Sequence, residues 1–307
     1  MANQNLTEAR SHDPRLFSTS AGGGAGPRTL TPEQLARFQS DGYLYPVSAL
    51  TAAEAAADLQ AIESFESQHG GKWPRAMSHK PHLILTWLDE LIRHPAILDA
   101  VEDIIGPDIL CWSSRFFIKE PHDGGFVSWH QDLPYWGLDF SENILSAWVA
   151  FTPATRANGA MKVMPGSHRK LVPHKAGAAS NLLQRGQEIA VAVDESKAVH
   201  MELQPGEMSL HHGLMWHGSE ENHSNVRRAG YAIRYIPARV KPIAGLPRDS
   251  ATLLRGHDHY GHFDLLPRPA RDLDSVAVTL QQQVSARSNE IRDLAVSRHQ
   301  ELLAGAV

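Results

Sequence analysis

The hydrophobic and polar positions of this chain change period partway along. Up to Gly106 the apolar residues recur at helical spacing, and from Ile109 they alternate or gather in short runs. Thr31-Pro32-Glu33-Gln34 reads as a capping box with proline at the first helical position, so a helix opens there and ends near Asp41-Gly42. Thr51-Ala52-Ala53-Glu54 is a second capping box, with Leu50 placed as a staple and an alanine-rich helix behind it. A third helix starts at His94-Pro95. Its Ile97, Leu98, Val101, Ile104 and Ile105 share one face, and Gly106 stands where a C-terminal cap belongs.

Beyond it, Ile109–Lys119, Leu145–Thr152, Met161–Met164, Val199–Leu203, Met208–His212 and Tyr231–Ile236 read as short strands, with turns at Pro165-Gly166 and Pro205-Gly206. Many short strands behind a helical N-terminal layer predict a mainly β (α+β) domain of the sandwich or jelly-roll kind. Over about 275–303 the pattern is helical again, with Val278, Val284, Ile291 and Leu294 offered for packing on the β core or in a homodimer. Residues 1–28 are polar and end in glycine and alanine. They read as a flexible leader to one domain spanning 29–307.

Composition narrows the function classes. The formal net charge of −5 in 307 residues argues against a nucleic-acid partner, whose phosphates favour a basic face. The N-terminus lacks the apolar core of a secretory signal, and no apolar run is long enough for a membrane span. One cysteine, Cys111, excludes internal disulfides and suits a reducing, cytoplasmic setting, with Cys111 a small buried residue.

The chemistry is concentrated in His130-Gln131-Asp132. On an extended strand, residues two apart share a face, so one strand aims an imidazole and a carboxylate at one point. A second histidine from elsewhere completes a two-histidine, one-carboxylate face with open positions opposite, the arrangement of non-haem iron(II) oxygenases. His217, in Trp216-His217-Gly218-Ser219, and the neighbouring His211, His212 and His223 are all available. His211 and His212 fall on opposite faces of a strand, so at most one of them points inward.

At these residues the chain resembles the phytanoyl-CoA dioxygenase family of iron(II)/2-oxoglutarate oxygenases. Trp129-His130-Gln131-Asp132, Asn158-Gly159 with Met161, Pro165-Gly166-Ser167-His168, Pro205-Gly206-Glu207, His217-Gly218-Ser219, Asn222-His223-Ser224 and Arg227-Arg228 follow in the family's order. The resemblance implies a double-stranded β-helix (cupin-like jelly roll) that binds iron(II), with 2-oxoglutarate and O2 as cosubstrates. It implies His130, Asp132 and His217 as metal ligands and Arg228 as the anchor of the 2-oxoglutarate tail. Ser219 and Trp148 match further cosubstrate contacts. An upstream lysine and a residue before the iron strand correspond to Lys80 or Arg75 and to Trp112 or Ser113. Family halogenases resemble this pattern but lack the carboxylate, so Asp132 implies hydroxylation of a small metabolite rather than halogenation.

Each assignment has a plainer rival. Arg227 competes with Arg228 for the inward position. Trp148 equally suits a β core and Ser219 a turn. Pro165-Gly166-Ser167-His168 reads as a structural turn, and His122 and His223 as loop residues. Phe126, Trp129, Tyr135, Trp136 and Trp216 either line a substrate pocket, caging a cation if the substrate carries one, or pack the barrel. Arg115 and Arg234 lie in strand-like segments, where a buried guanidinium pairs with a substrate carboxylate or phosphonate. Desaturation or cyclisation by the same oxidant, a binding protein on the same barrel, and a zinc or nickel isomerase or hydrolase are the competing functions.

Overall fold

A computed structural model describes residues 29–139, 144–176, 181–183 and 187–304, so the leader expected over 1–28 lies outside the described residues. The elements run α1 Pro32–Asp41, β1 Tyr43–Ser48, α2 Ala52–Gln68, α3 Thr86–Ile92, α4 Pro95–Ile105, β2 Ile109–Lys119, β3 Val127–His130, β4 Leu145–Ala150 and β5 Met161–Val163. There follow β6 His174–Ala176, β7 Gln187–Ile189, β8 Val199–His200, β9 Glu207–His212, β10 His217–Ser219, β11 Arg228–Pro237, β12 Ser250–Arg255, β13 Asp264–Leu265 and α5 Ser275–Ala304.

Both expected capping boxes are present. Thr31 and Thr51 accept from the backbone N–H groups of Gln34 and Glu54, whose side chains return the bond. α4 buries Ile97, Leu98, Val101, Ile104 and Ile105 on one face, as its periodicity predicts. β4 and β8 stop short of the expected Thr152 and Leu203. β1 and α3 were not anticipated. Pro46 breaks the strand signal of β1, yet it is tolerated because β1 is a sheet edge.

Two sheets make the double-stranded β-helix. The larger has the order β1-β9-β4-β11-β2-β12-β13 and the smaller β3-β10-β5-β8. The helical layer packs on the outer face of the larger sheet, where Ile104, Ile109, Cys111, Val149, Tyr231 and Ile233 share one apolar cluster. Cys111 is buried there, as expected. The sheet's inner face carries Ser113, Arg115, Phe117 and Lys119 of β2, and Arg228, Gly230, Ala232 and Arg234 of β11. α5 closes one end: it buries Val284 and Ile291, while Leu294, expected to pack, is 43% exposed. Gln281 ties the helix down by donating to His79 O at 2.6 Å. No helix among the described residues is long and apolar enough to cross a membrane.

Candidate metal and cosubstrate site

β3 and β10 are neighbours in the smaller sheet, in a register that sets His217 opposite His130. The strands run close because residue 218 is glycine: a Cβ there would meet Val127 O at 2.8 Å. The two imidazoles face one point, with ring centroids 4.0 Å apart. Nδ1 of His130 lies 3.0 Å from Ser128 O, and Nδ1 of His217 lies 2.9 Å from Met215 O. A carbonyl only accepts, so each Nδ1 carries the proton and each Nε2 turns its lone pair to the centre. Metal-bound histidines are oriented by this kind of outer hydrogen bond.

Asp132 is not on the strand. β3 ends at His130, and Asp132 has helical angles (φ −75°, ψ −49°) at the start of a single 3-10 turn, Leu133–Tyr135. The expected extended geometry is therefore corrected: the carboxylate reaches the centre because the chain turns. Gln131 holds that turn. Its buried amide donates to Lys170 O at 2.9 Å and Leu214 O at 2.7 Å and accepts from Val172 N at 3.0 Å.

Asp132 Oδ1 is 3.4 Å from His130 Nε2, and Oδ2 is 4.0 Å from His217 Nε2. Two donors each about 2.1 Å from one ion stand at most about 4.2 Å apart, so both separations fit a shared metal. Among the described residues this is the only such group of three or more His, Cys, Asp or Glu side chains. Burial opposes the charge on Asp132, but the facing His130 and His217 imidazoles and the Arg234 charge outweigh it and hold the carboxyl well below the usual carboxylate range. Burial first, then His130, holds His217 well below the ordinary imidazole value. An ionised carboxylate and a neutral imidazole are the forms a metal needs.

Of the rival histidines, His211 lines the same cavity, its ring 4.8 Å from that of His217, but it does not join the trio. His212 points away, accepting from Leu214 N at 3.0 Å and packing 5.5 Å from the buried His168 ring. His122 bonds Asn225 in an exposed loop, and His223 is exposed.

Across the cavity, Arg228 opens β11 opposite Lys119. It is buried, donates from Nη1 to Gly159 O, and lies 5.4 Å from the Trp148 ring centre. Its buried Nε has no hydrogen-bond partner among the described residues. Arg227 turns the other way, to Glu66 at 2.7 Å and Glu120 at 3.0 Å. Burial draws the Arg228 guanidinium down to about 10, still a cation at neutral pH. Sequence reading missed Lys119, which is buried and donates to Ser219 Oγ at 2.9 Å. Burial, and then the Arg228 charge, lower its ammonium to about 7. Its alternation with Arg115 and Phe117 was the signal available.

Ser219 and Trp148 line the same cavity of about 780 Å³, together with Arg75, Trp112, Ser113, Arg115 and Arg234. Lys80 does not: its Nζ is buried elsewhere, donating to Ser250 O at 2.9 Å. Of the aromatic group, Tyr135 and Trp136 are in the wall. Trp129 instead bonds Glu195 and lies under Lys162, 4.9 Å from its ring centre. Phe126 and Trp216 are not in the wall, whereas Phe117 is.

Residues 26–230 match the model of the phytanoyl-CoA dioxygenase (PhyH) family. A probable alpha-ketoglutarate-dependent hypophosphite dioxygenase of Stutzerimonas stutzeri is 26% identical over 234 residues, covering 69% of this chain and 81% of that protein. The match spans about half the length of a probable phytanoyl-CoA dioxygenase of Caenorhabditis elegans (50%) and of the peroxisomal phytanoyl-CoA dioxygenase of Homo sapiens (46%). Among solved structures, the non-heme monooxygenase ThoJ in its apo form superposes with a TM-score of 0.76 at 40% identity, covering 86% of this chain and 98% of that one. CytC3 with iron(II) and alpha-ketoglutarate gives a TM-score of 0.60 at 26% identity over 81% and 97%. The chain belongs to the phytanoyl-CoA dioxygenase family of iron(II)- and 2-oxoglutarate-dependent oxygenases.

Proposed function

We propose that this chain, as one domain, hydroxylates an unactivated C–H bond of a small metabolite, with His130, Asp132 and His217 as the iron ligands. The observation that carries the reading is the pair of Nε2 lone pairs and the Asp132 carboxylate meeting at one point, with the underused Arg228 guanidinium facing them across the cavity. When bound, iron(II) with 2-oxoglutarate and O2 supplies an oxidant that replaces C–H by C–OH while 2-oxoglutarate leaves as succinate and CO2.

The protein's own part is orientation. Met215 O and Ser128 O keep both imidazoles in the ligating tautomer, and Gln131 holds Asp132 toward them. Arg228 receives the distal carboxylate of 2-oxoglutarate, where guanidinium offers two parallel hydrogen bonds. Trp148 supports that guanidinium from one side, and Ser219 offers a hydroxyl held by Lys119. Phe117, Met161 and Val127 limit water in the wall. Asp132 fills the position that chloride would need, which favours hydroxylation over halogenation.

The decisive experiment is oxygen-dependent succinate release across a substrate panel, with mass spectrometry for a product heavier by one oxygen. Anaerobic iron(II) with 2-oxoglutarate should give a weak visible charge-transfer band that Arg228→Ala removes. If the band persists in that variant, the placement of 2-oxoglutarate is wrong. A binding protein releases no succinate, and desaturation or cyclisation yields a product that gains no oxygen.

A further inference from the structure

The inner face of the larger sheet carries positive charge at both ends. Arg228 and Lys119 stand at one end, opposite each other in register. Six residues along β11, about 20 Å of extended chain, lies Arg234, with Arg115 diagonally across on β2. Phe117 adjoins both members of the second pair: Arg115 lies 5.9 Å and Arg234 5.6 Å from its ring centre. Arg75, from the short helical turn Arg75–Met77, lines the same cavity. Arg75, Arg115 and Arg234 have no carboxylate or hydrogen-bond partner among the described residues. The arginines are close enough to repel, for burial and then the charges of Arg234, Arg292 and Arg75 bring Arg115 down to about 10.

The charge balance of the loaded site makes this end unusual. The ion's two positive charges and Arg228 would balance Asp132 and the two carboxylates of 2-oxoglutarate, and among the described residues Asp132 is the only carboxylate in the cavity wall, where Arg292 has its own partner in Asp293 at 3.7 Å. Arg75, Arg115 and Arg234 are then left without an ion-pair partner among the described residues, a costly arrangement in a partly buried space unless an anion completes it. α5 adds polar groups at helical spacing, with Gln282, Ser285 and Asn289 facing the same space.

We propose that the substrate carries an oxyanion, carboxylate or phosphoryl, held by Arg115 and Arg234 with Arg75 at the mouth. This inference rests on the oxygenase reading for what is oxidised, but its test reads binding alone. The anion is gripped at the α5 end, so the oxidised carbon lies between that grip and the metal trio. Trp136, 5.9 Å from the Arg234 guanidinium, is placed against the carbon skeleton next to the charged group.

Calorimetric titration under anaerobic conditions, with 2-oxoglutarate saturating, tests the proposal with three matched probes: benzylphosphonate, phenylacetate and benzyl alcohol. The anionic probes should bind and the neutral one should not, and the tighter anion tells phosphoryl from carboxylate. Arg115→Gln and Arg234→Gln should each weaken the anionic probe about tenfold or more, the loss expected for a charge-assisted hydrogen bond. Arg75→Gln, at an exposed position that leaves folding intact, should weaken it less. Circular dichroism shows that the variants fold. Equal binding of all three probes, or unchanged affinity in folded Arg115→Gln and Arg234→Gln, overturns the proposal. Loss of 2-oxoglutarate binding in both variants also overturns it, since the arginines would then serve the cosubstrate. Failure of the unaltered protein to bind 2-oxoglutarate, with probe binding intact, would instead defeat the oxygenase reading and leave the oxyanion site standing.

Discussion

Gly230→Ala is the smallest change that should disable the cosubstrate end without touching a proposed ligand. A Cβ on residue 230 would stand 2.0 Å from Trp148 Cζ2 and 2.4 Å from Cη2, whereas ordinary contact starts at 3.4 Å, so the indole must retreat by at least 1.4 Å. Trp148 is 6% exposed and has little room to go. Overpacking of this kind costs about 1–3 kcal/mol and should lower the melting temperature by a few degrees. The same displacement pulls the ring from Arg228, 5.4 Å away. Cation–π support for a desolvated guanidinium is worth about 1–2 kcal/mol, so 2-oxoglutarate should bind about five- to thirtyfold more weakly. Anaerobic calorimetric titration of 2-oxoglutarate measures this, with iron content checked in parallel. Adding Trp148→Phe removes the overlapping ring atoms and should recover thermal stability but not full affinity. If Gly230→Ala melts lower yet binds 2-oxoglutarate unchanged, Trp148 packs the barrel and does not support the cosubstrate.

Other expectations follow from the same geometry. His217→Ala and Asp132→Ala should lose the bound iron, whereas His211→Ala should keep it. Metal analysis after anaerobic loading decides between them, and retention by His217→Ala would reassign the trio. Gln131→Ala leaves three backbone partners unsatisfied; it should cost about 2–4 kcal/mol in denaturant unfolding and weaken iron binding. Lys119 has a folded-state value of about 7 against an ordinary 10.5, so between these values the unfolded chain holds a proton that the folded chain has released. Stability should therefore rise with pH across that window, the penalty being complete below about 7, and Lys119→Met should flatten the rise in melting temperature. An equal slope in the variant would place the titration elsewhere.

What the residues revealed by themselves was local or came in a motif. Both capping boxes and the α4 stripe were legible because a helix is specified by contacts three and four residues apart. β2 was read with both ends correct because its alternation runs between a glycine-bounded turn and a glutamate–proline pair. The His130–Asp132 spacing picked out two residues that the structure brings together, but on an incorrect backbone, because a spacing of two does not say where a strand ends. Gln131 decided that through bonds to Lys170, Val172 and Leu214, all more than thirty-five residues away.

The sequence therefore determined the helical layer, the alternation of β2 and the inventory of candidate metal ligands. Only the tertiary structure decided which histidine completes the trio: strand pairing puts His217 beside His130 and leaves His211 facing the same cavity outside the group. It also decided that Arg228 rather than Arg227 turns inward, because Glu66 and Glu120 draw Arg227 to the other face. The uncompensated arginines at the α5 end emerged the same way. Their proximity comes from register across β2 and β11, and long-range pairing is the kind of contact that periodicity along one strand does not encode.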